Sequence, residues 1–429
     1  MSHVVIIGNG IAGITAARHI RKFSDKKITV ISAETEYFFS RTALMYVFMG
    51  HMKFEHTQPY ENWFWEKNRI ELKQAYIDEI DFKNKTLFST EGEEITYDQL
   101  ILATGSVTNF RGWKGQELKG VQGLVSKQDL ELLEENSANL KHAVIVGGGL
   151  IGVELAEMLH TRNIEVTMLV RENHFWGSVL PAEGGKLISD HIQQHGINLL
   201  FETELDEIIP DENNHVKAIT TLDGKQIDCQ LVGIATGVKP NISFLKKTEL
   251  ETEIGILVNR NLETNIPDVY AIGDCAQQRE AIGNRKSVEA VWYTGRMMGE
   301  TVAQTICGNP NAYNPGNWFN SAKFFDIEYQ TYGWVFPKKK EGISDFYWED
   351  KKNQRALHFQ YKTDSKEFLG INAFGIRLRH EVVDAWLTEK LSIENVIQQL
   401  PKANFDKEFS KKFSKQVQKS FQQSQLQKA

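Results

Sequence analysis

Residues 4–22 read VVIIGNGIAGITAARHIRK, and residues 27–32 read KITVIS. An apolar run, a glycine turn, a stretch of small and apolar residues and a second apolar run predict a parallel β-α-β unit. Gly8, Gly10 and Gly13 place the spacing G-x-G-x-x-G at the strand-to-helix junction. The first glycine permits a tight turn, the second lets a pyrophosphate approach the backbone, and the third lets helix and strand pack closely. This stretch therefore predicts a dinucleotide site at a helix N-terminus.

An acidic residue about twenty positions beyond such a turn is expected to bind the ribose hydroxyls. Glu34 lies 21 positions after Gly13. Ser32 is the alternative for the same role.

A second stretch repeats the plan, because residues 143–162 read AVIVGGGLIGVELAEMLHTR and residues 164–170 read IEVTMLV. Gly147, Gly149 and Gly152 carry the same spacing. Two copies of one plan predict two structural units of the same kind.

The sequence of the second unit does not decide whether the nicotinamide donor is NADH or NADPH. Val170 and Arg171 end its second strand, where an NADH-selective site often has a carboxylate, and an arginine there can pair with a 2′-phosphate. Gly152 instead favours NADH, because alanine is common at that place in NADPH sites. Both donors stay open, with NADPH slightly favoured.

Length and composition set the outer limits. The 429 residues suggest two to three domains, and 41% apolar with 24% charged residues is typical of a globular chain. A net charge of -7 argues against the broad basic surface of a nucleic-acid-binding protein. Cys229, Cys275 and Cys307 form no C-x-x-C pair, which favours a cytoplasmic setting, and no run is apolar and long enough to span a membrane.

We expect an α/β fold with two Rossmann-like dinucleotide-binding domains, the second inserted into the first, plus a small α+β C-terminal domain. The aromatic-rich runs after residue 316 suggest antiparallel strands whose aromatic residues form a core. The predicted domains are a first dinucleotide-binding domain at 1–112 and 250–316, a second dinucleotide-binding domain at 113–249, an α+β domain at 317–400 and an amphipathic helical tail at 401–429. A helix is expected from about Ser287 to Cys307.

The tail carries an apolar residue every four positions, which predicts a broad apolar helical face. The face consists of Phe405, Phe409, Phe413, Val417 and Phe421. It could lie on a membrane surface, dock on a partner or pack on its own domain.

Four motifs resemble the pyridine nucleotide-disulfide oxidoreductase superfamily over about residues 3 to 310. They are GNGIAG at 8–13, LILATGS at 100–106, GGGLIGVELAE at 147–157 and TNIPDVYAIGDCA at 264–276. The resemblance implies FAD in the first unit and NAD(P)H in the second. It also implies that Asp274 binds the ribityl chain and that the helix entered near Ser287 points its N-terminus at the flavin.

Carried over motif by motif, the resemblance implies two sets of cofactor-binding residues. The set for FAD is Gly8, Gly10, Ile11, Ala12, Gly13, Glu34, Arg41, Ile77, Ala103, Thr104, Gly105, Gly273, Asp274, Ala290 and Val291. The set for NAD(P) is Gly147, Gly149, Leu150, Ile151, Gly152, Glu154, Arg171, Thr236 and Gly237. Glu154 is similar to the family's residue that faces the nicotinamide, or it is a helix-terminal acid that only favours the dipole.

The segment at 28–50 separates the branches of the superfamily. It has no C-x-x-x-x-C pair, and Arg41 stands where NADH oxidases and coenzyme A-disulfide reductases have one cysteine. It is similar to rubredoxin reductases, ferredoxin reductases and the flavin portion of NADH-dependent nitrite reductases, through Phe39, Arg41 and Leu44. It departs from that branch at Tyr46, where a flavin-side lysine is common.

The resemblance therefore implies an FAD-dependent NAD(P)H oxidoreductase whose acceptor is a small electron-transfer protein such as a rubredoxin or ferredoxin. A peripheral NAD(P)H:quinone oxidoreductase, motivated by the tail, and a non-catalytic redox-sensing flavoprotein are the alternatives. The chain is expected to be a monomer or a homodimer. No metal site is predicted, since histidines such as His51, His56 and His380 are scattered.

Overall fold

A computed structural model describes residues 2–405, 408 and 412–426. Its helices are α1 (Ile11–Phe23), α2 (Leu44–Phe48), α3 (Trp63–Lys67), α4 (Lys127–Ser137), α5 (Leu150–Thr161), α6 (Ala182–Gln194), α7 (Trp292–Ile306), α8 (His380–Thr388), α9 (Ile393–Ala403) and α10 (Ser414–Leu426).

Its strands in the first half of the chain are β1 (His3–Ile7), β2 (Lys27–Ser32), β3 (Ile70–Gln74), β4 (Ile77–Asp81), β5 (Thr86–Ser89), β6 (Glu94–Thr96), β7 (Gln99–Leu102), β8 (Ser106–Thr108), β9 (Val121–Gln122), β10 (His142–Val146), β11 (Glu165–Val170) and β12 (Asn198–Phe201). Those in the second half are β13 (Leu205–Pro210), β14 (Val216–Thr221), β15 (Gln226–Asp228), β16 (Leu231–Ile234), β17 (Val238–Pro240), β18 (Ile256–Val258), β19 (Val269–Ala271), β20 (Ala276–Gln278), β21 (Phe319–Phe324), β22 (Ile327–Gly333), β23 (Ile343–Asp350), β24 (Arg355–Lys362) and β25 (Phe368–Phe374).

The chain divides into two compact units. The first unit comprises residues 1–112, 122–140 and 234–315, and the second unit comprises residues 113–121, 141–233 and 316–429. Residues 122–140 and 234–249, which the sequence assigned to the NAD(P)-binding domain, thus fall in the first unit. The boundaries of the cofactor-binding domains stay a prediction.

A five-stranded sheet of order β19-β7-β1-β2-β3 forms the centre of the first unit, and its neighbouring strands pair in parallel. This is the strand order of a dinucleotide-binding fold. β1 lies in the middle and its last four residues are buried, which explains why the sequence there is continuously apolar. β4, β5 and β6 form a separate antiparallel sheet.

The second unit repeats this arrangement with the order β12-β11-β10-β16-β9. β10, β11 and β12 pair in parallel, and β13, β14 and β15 form a separate antiparallel sheet. The predicted α/β class with two Rossmann-like folds is confirmed.

The chain after residue 316 forms a five-stranded antiparallel sheet of order β21-β22-β25-β24-β23, on which α8, α9 and α10 pack. Its core contains buried aromatic residues, among them Tyr332, Phe346, Trp348 and Phe359. The α+β prediction for this region is confirmed, and these aromatic residues belong to its core as expected.

The tail helix α10 packs on this same α+β region. Phe413, Val417 and Phe421 are buried, and the Phe421 ring meets the Phe346 ring at 5.0 Å in an edge-on arrangement. Phe405 is exposed, and Phe409 lies outside the described residues. Of the three alternatives for the apolar face, packing on its own domain is therefore the one that the described residues adopt.

Helix α7 begins later than the sequence suggested. It starts at Trp292 with Val291 as N-cap, and not near Ser287. The Ser287 carbonyl accepts a hydrogen bond from the Gln278 amide at 2.9 Å and so does not bond within a helix. Within the described part of the chain, no helix is long and apolar enough to cross a membrane.

Candidate functional site

The first glycine turn brings three backbone segments within contact distance. A Cβ atom at Gly13 would lie 2.0 Å from the Gly8 carbonyl oxygen, and one at Gly8 would lie 2.1 Å from that of Ala103. Gly8 has φ of +114°, which side chains rarely tolerate. These two glycines are therefore required by the fold itself.

Gly10 differs, because a Cβ atom there would meet nothing within 4 Å. It is the N-cap of α1 at φ of -68°, without a side-chain cap and without an acid in the first turn. The first N–H groups of a helix have no intrahelical partner, and the helix dipole adds partial positive charge there. Open space beside these donors fits a pyrophosphate, so the turn fits the predicted FAD.

Glu34 and Arg41, both predicted FAD residues, form a bidentate ion pair. Arg41 Nη1 and Nη2 donate to Glu34 Oε1 and Oε2 at 2.9 and 2.6 Å, and the Lys127 amide donates to Oε1 at 2.8 Å. A carboxylate has about four lone-pair sites, so one acceptor position remains for a ribose hydroxyl. The rival Ser32 is buried, and its Oγ accepts from the Glu34 amide.

The ends of β7 and β19 lie beside the glycine turn. Gly273, at φ of +73°, follows β19, and a Cβ atom there would lie 3.0 Å from the Ala12 Cβ. A Cβ atom at Gly295 of α7 would lie 3.6 Å from Ile11 and 3.7 Å from Ala12. Segments far apart in sequence thus meet at the start of α1.

Asp274 lies in the same region. The Ser106 hydroxyl donates to Asp274 Oδ2 at 2.8 Å. Burial raises the pKa of this carboxyl, while the Ser106 hydrogen bond and the charge of Arg41 act in the opposite direction. The charge of Arg41 thus acts on both predicted FAD acids.

The remaining predicted FAD residues lie around the same sheet. Thr104 Oγ1 donates to the Asn241 carbonyl at 2.8 Å, and Gly105 accepts from the Asn241 amide at 3.0 Å. Ile77 is buried at the start of β4, while Ala290 and Val291 immediately precede α7.

The second glycine turn has the same construction within the second unit. A Cβ atom at Gly152 would lie 2.4 Å from the Gly147 carbonyl oxygen, and Gly147 has φ of +124°. Gly149 is the N-cap of α5, and Leu150 and Ile151 open that helix without a side-chain cap. This turn fits a second pyrophosphate.

Glu154 lies on α5, one turn after its start. Burial, together with the nearby charge of Glu157, raises the pKa of Glu154 to about 7. Glu157 is itself buried and paired with Lys323, whose Nζ lies 3.3 Å from Oε1. Glu154 can therefore hold or release a proton near neutral pH.

Arg171 is exposed just beyond β11, and its Nη2 lies 3.2 Å from Glu172 Oε1. A guanidinium and a carboxylate thus lie side by side at the strand end, so this position does not decide between NADH and NADPH. Trp176 is a residue that the sequence analysis missed, and its indole Nε1 would lie 3.8 Å from a Cβ atom at Gly149. No sequence pattern predicts this contact, because Trp176 approaches the glycine turn only when the chain folds.

Thr236 and Gly237 belong to the first unit, whereas the second glycine turn belongs to the second unit. Thr236 Oγ1 donates to the Asn109 carbonyl at 3.1 Å, and Gly237 accepts from the Asn109 amide at 3.1 Å. The structure does not bring these two residues together with Gly147 and Gly149 in one compact unit.

Two other features of the first unit were missed. Ser126 and Asp129 form a capping box that starts α4 beside Glu34, and the spacing S-x-x-D was a signal that could have found it. Arg285 and Glu289 form a buried ion pair at 3.0 Å just before α7. A pair four residues apart outside a helix has no distinctive sequence pattern.

The chain matches the family described as pyridine nucleotide-disulphide oxidoreductase over residues 2–299. It is 31% identical over 341 residues to the NADH oxidase of Methanocaldococcus jannaschii, covering 76% of this chain and 74% of that one. It is 28% identical over 330 residues to a rubredoxin-NAD(+) reductase of Pseudomonas putida, covering 76% of this chain and 85% of that one.

A third relative is the NAD(P)H nitrite reductase of Bacillus subtilis, 31% identical over 280 residues, or 64% of this chain. The chain spans 34% of the length of that relative. Among solved structures, the fold resembles a ferredoxin reductase from Rhodopseudomonas palustris with a TM-score of 0.80 at 23% identity, covering 87% of this chain and 91% of that one. At that identity the likeness concerns the fold alone.

Proposed function

The chain belongs to the pyridine nucleotide-disulphide oxidoreductase family and is an FAD-dependent NAD(P)H oxidoreductase, and on that premise we propose that it reduces a small electron-transfer protein of the rubredoxin or ferredoxin type. The observation that carries the proposal is the segment around Arg41. An arginine paired with Glu34 stands where a redox cysteine would act, and the three cysteines of the chain are free, two of them buried. A relative named rubredoxin-NAD(+) reductase adds support.

We propose that FAD is bound at the first glycine turn by the residue set given above. The N-terminal N–H groups of α1 and the backbone of Gly10 would hold the pyrophosphate, and Glu34 would accept one ribose hydrogen bond. Asp274 would accept from the ribityl chain, and the start of α7, with no acid in its first turn, would lie near the flavin. When bound, FAD supplies the redox chemistry, taking hydride from the nicotinamide and passing electrons to the acceptor.

The nicotinamide nucleotide would bind at the second glycine turn, with Arg171 or Glu172 meeting the adenosine ribose. Glu154, with a pKa near neutrality, would lie on the nicotinamide side. We infer NADPH as the slightly favoured donor, because the exposed Arg171 guanidinium lies at the strand end, where it would meet a 2′-phosphate. A cytoplasmic location stays a prediction from the cysteine pattern.

Two measurements test the proposal. Anaerobic titration of the FAD-loaded chain with NADH and then NADPH should bleach the flavin absorbance with at least one donor. Stopped-flow mixing of the reduced protein with a rubredoxin and with a ferredoxin should then show rapid reoxidation by one of them. Flavin reduction without electron transfer to either carrier would contradict the acceptor and leave the oxidoreductase assignment intact.

The quinone alternative depended on an apolar tail free to meet a membrane. The buried positions of Phe413, Val417 and Phe421 remove that motivation for the described part of the tail. We therefore retain the reduction of a small electron-transfer protein as the proposed function.

A further inference from the structure

Two histidines and one aspartate converge in the second unit, away from both glycine turns in sequence. His191 lies in the last turn of α6 and His195 is the C-cap of that helix, so the two rings lie one turn apart, with centroids at 4.5 Å. Asp326 lies in the two-residue turn between β21 and β22. Among the described residues, these three side chains form a group whose potential ligand atoms all lie within 4.8 Å of one another.

The distances suit one shared cation. Asp326 Oδ1 lies 2.5 Å from His191 Nε2 and 3.8 Å from His195 Nε2. Ligand atoms around a tetrahedral zinc ion, with bonds of about 2.0–2.1 Å, lie roughly 3.4 Å apart. One of the two distances from Asp326 is shorter than this value and the other is longer. Small side-chain rotations would therefore bring all three ligand atoms to the spacing that a zinc ion requires.

Proton positions also favour a cation at this place. His195 Nδ1 lies 3.0 Å from the His191 carbonyl oxygen, and a carbonyl can only accept, so Nδ1 must carry the hydrogen. In that tautomer Nε2 of His195 carries the lone pair that a metal ion would bind, and it lies 3.8 Å from Asp326 Oδ1.

The surroundings hold the three groups in place. His191 is 3% exposed, so the surrounding side chains fix the position of its ring. The Gln354 side-chain amide lies 3.2 Å from His191 Nδ1, and with its oxygen turned to accept from Nδ1–H it would leave the Nε2 lone pair for the metal ion. The Phe325 ring packs against the His195 ring at 4.5 Å. Such neighbours orient metal ligands.

Asp326 keeps the site accessible, because its side chain is 70% exposed and His195 is 34% exposed. We propose that His191, His195 and Asp326 bind a divalent transition metal ion such as Zn²⁺, with water completing the coordination. The ion joins the C-terminal end of α6 to the β21–β22 turn and so acts as a structural clasp inside the second unit. This site is independent of the proposed redox function.

The test uses the untagged, FAD-loaded full chain after treatment with a chelator and buffer exchange. Calorimetric titration with Zn²⁺ at about pH 7.5 should show one ion per chain, and binding should weaken strongly at about pH 5, where histidines protonate. His195→Ala and Asp326→Asn should each weaken Zn²⁺ binding by at least tenfold, on the scale of lost ligands. His215→Ala, which removes an exposed histidine elsewhere in the same unit, should bind as the unchanged chain does.

Thermal unfolding provides a second readout. Zn²⁺ should raise the Tm of the unchanged chain and of His215→Ala, because a ligand that binds the folded state stabilises it, and should leave Asp326→Asn unaffected. Absence of Zn²⁺ binding by the unchanged chain would overturn the proposal. Equal Zn²⁺ binding by all four proteins would also overturn it, since the ion would then lie elsewhere.

Discussion

Single charged side chains are shared between neighbours at both cofactor turns. Arg41 holds Glu34 and also influences Asp274, while Arg171 stands beside Glu172. Each ion pair limits the hydrogen bonds that its carboxylate can accept from a ligand, because a carboxylate bound by a guanidinium has fewer free acceptor positions. If the two turns bind nucleotides as proposed, donor choice and ribose binding depend on these single residues.

The first prediction concerns Arg171→Ala. If the guanidinium meets a 2′-phosphate, the KM for NADPH should rise about tenfold or more, since a charge-assisted contact contributes roughly 1.5–3 kcal/mol. The KM for NADH should change little. Steady-state kinetics with both donors measure this, and Lys217→Ala, an exposed cation elsewhere in the same unit, is the matched control. Equal changes for the two donors would argue against a role of Arg171 in donor selection.

The second prediction concerns the pH dependence of stability. Glu154 has a pKa of about 7 in the folded chain, against an ordinary value of 4.5. Between these values the folded state binds more protons than the unfolded state, so this group lowers stability as pH rises and keeps it lower above about pH 7. Glu154→Gln should match the unchanged chain below pH 4.5 and exceed its free energy of unfolding by on the order of 2 kcal/mol above pH 7.

Urea unfolding across this pH range measures the difference. Glu165→Gln, an exposed glutamate at the start of β11, is the control. A gain of Glu154→Gln that did not depend on pH would show that the charge of Glu154 is not its cause.

At the scale of elements, the junction of β1 and α1 contains glycines that the fold requires and one, Gly10, that the fold does not require. Gly13 is enclosed, because a Cβ atom would lie 2.0 Å from the Gly8 carbonyl oxygen, whereas Gly10 faces open space. The same turn therefore contains both kinds of glycine, three positions apart.

The third prediction uses this contrast. Gly10→Ala should leave the stability of the FAD-free chain unchanged or raise it by about 0.5 kcal/mol, because its φ of -68° suits alanine, and should weaken FAD binding at least tenfold. Gly13→Ala should destabilise the chain itself by about 1–3 kcal/mol, since helix and strand must move apart. Fluorescence titration of FAD and urea unfolding measure both effects. Unchanged FAD binding by Gly10→Ala would mean that the pyrophosphate does not lie on this turn.

The fourth prediction concerns the tail helix α10. Phe421→Ala should cost about 3–5 kcal/mol, because it removes a buried ring from the core of the α+β region. Phe405→Ala should change stability by less than about 0.5 kcal/mol, since that ring is exposed. Liposome co-sedimentation should be the same for both variants and the unchanged chain. A loss of liposome binding by Phe421→Ala without a loss of stability would restore the membrane alternative.

At the scale of the whole molecule, two units of similar plan are expected to bind different nucleotides. The first glycine turn lies in the first unit and the second glycine turn in the second unit. Thr236 and Gly237 fall in the first unit although the sequence assigned them to NAD(P). Protection of each unit from amide hydrogen exchange, compared between FAD and NADPH, therefore tests which residues bind which nucleotide.

The fifth prediction is a pattern of hydrogen exchange. Added FAD should slow amide exchange at 8–13, because these N–H groups would donate hydrogen bonds to the phosphates. It should also slow exchange at 273–274, because this neighbouring segment would open less often. NADPH, added to the FAD-loaded chain, should slow exchange at 147–152. Mass spectrometry of peptides from each segment measures this. Protection of 8–13 by NADPH in the absence of FAD, with none at 147–152, would reverse the assignment of the two turns.

The sequence alone determined the class of the fold and the position of both glycine turns. These features are local, since the apolar runs of β1 and β10 and the glycines between 8 and 13 follow from strand burial and turn geometry within about twenty residues. The aromatic core of the α+β region was also expected, because large apolar side chains in alternating strands have few other places to lie.

The tertiary structure alone decided which distant residues meet. It paired Arg41 with Glu34, buried Phe421 under the α+β sheet and brought Asp326 to His191 and His195. None of these contacts has a signature along the chain, because each joins elements whose approach depends on how helices and sheets pack. A local pattern specifies what a segment can become, and only packing specifies what it touches.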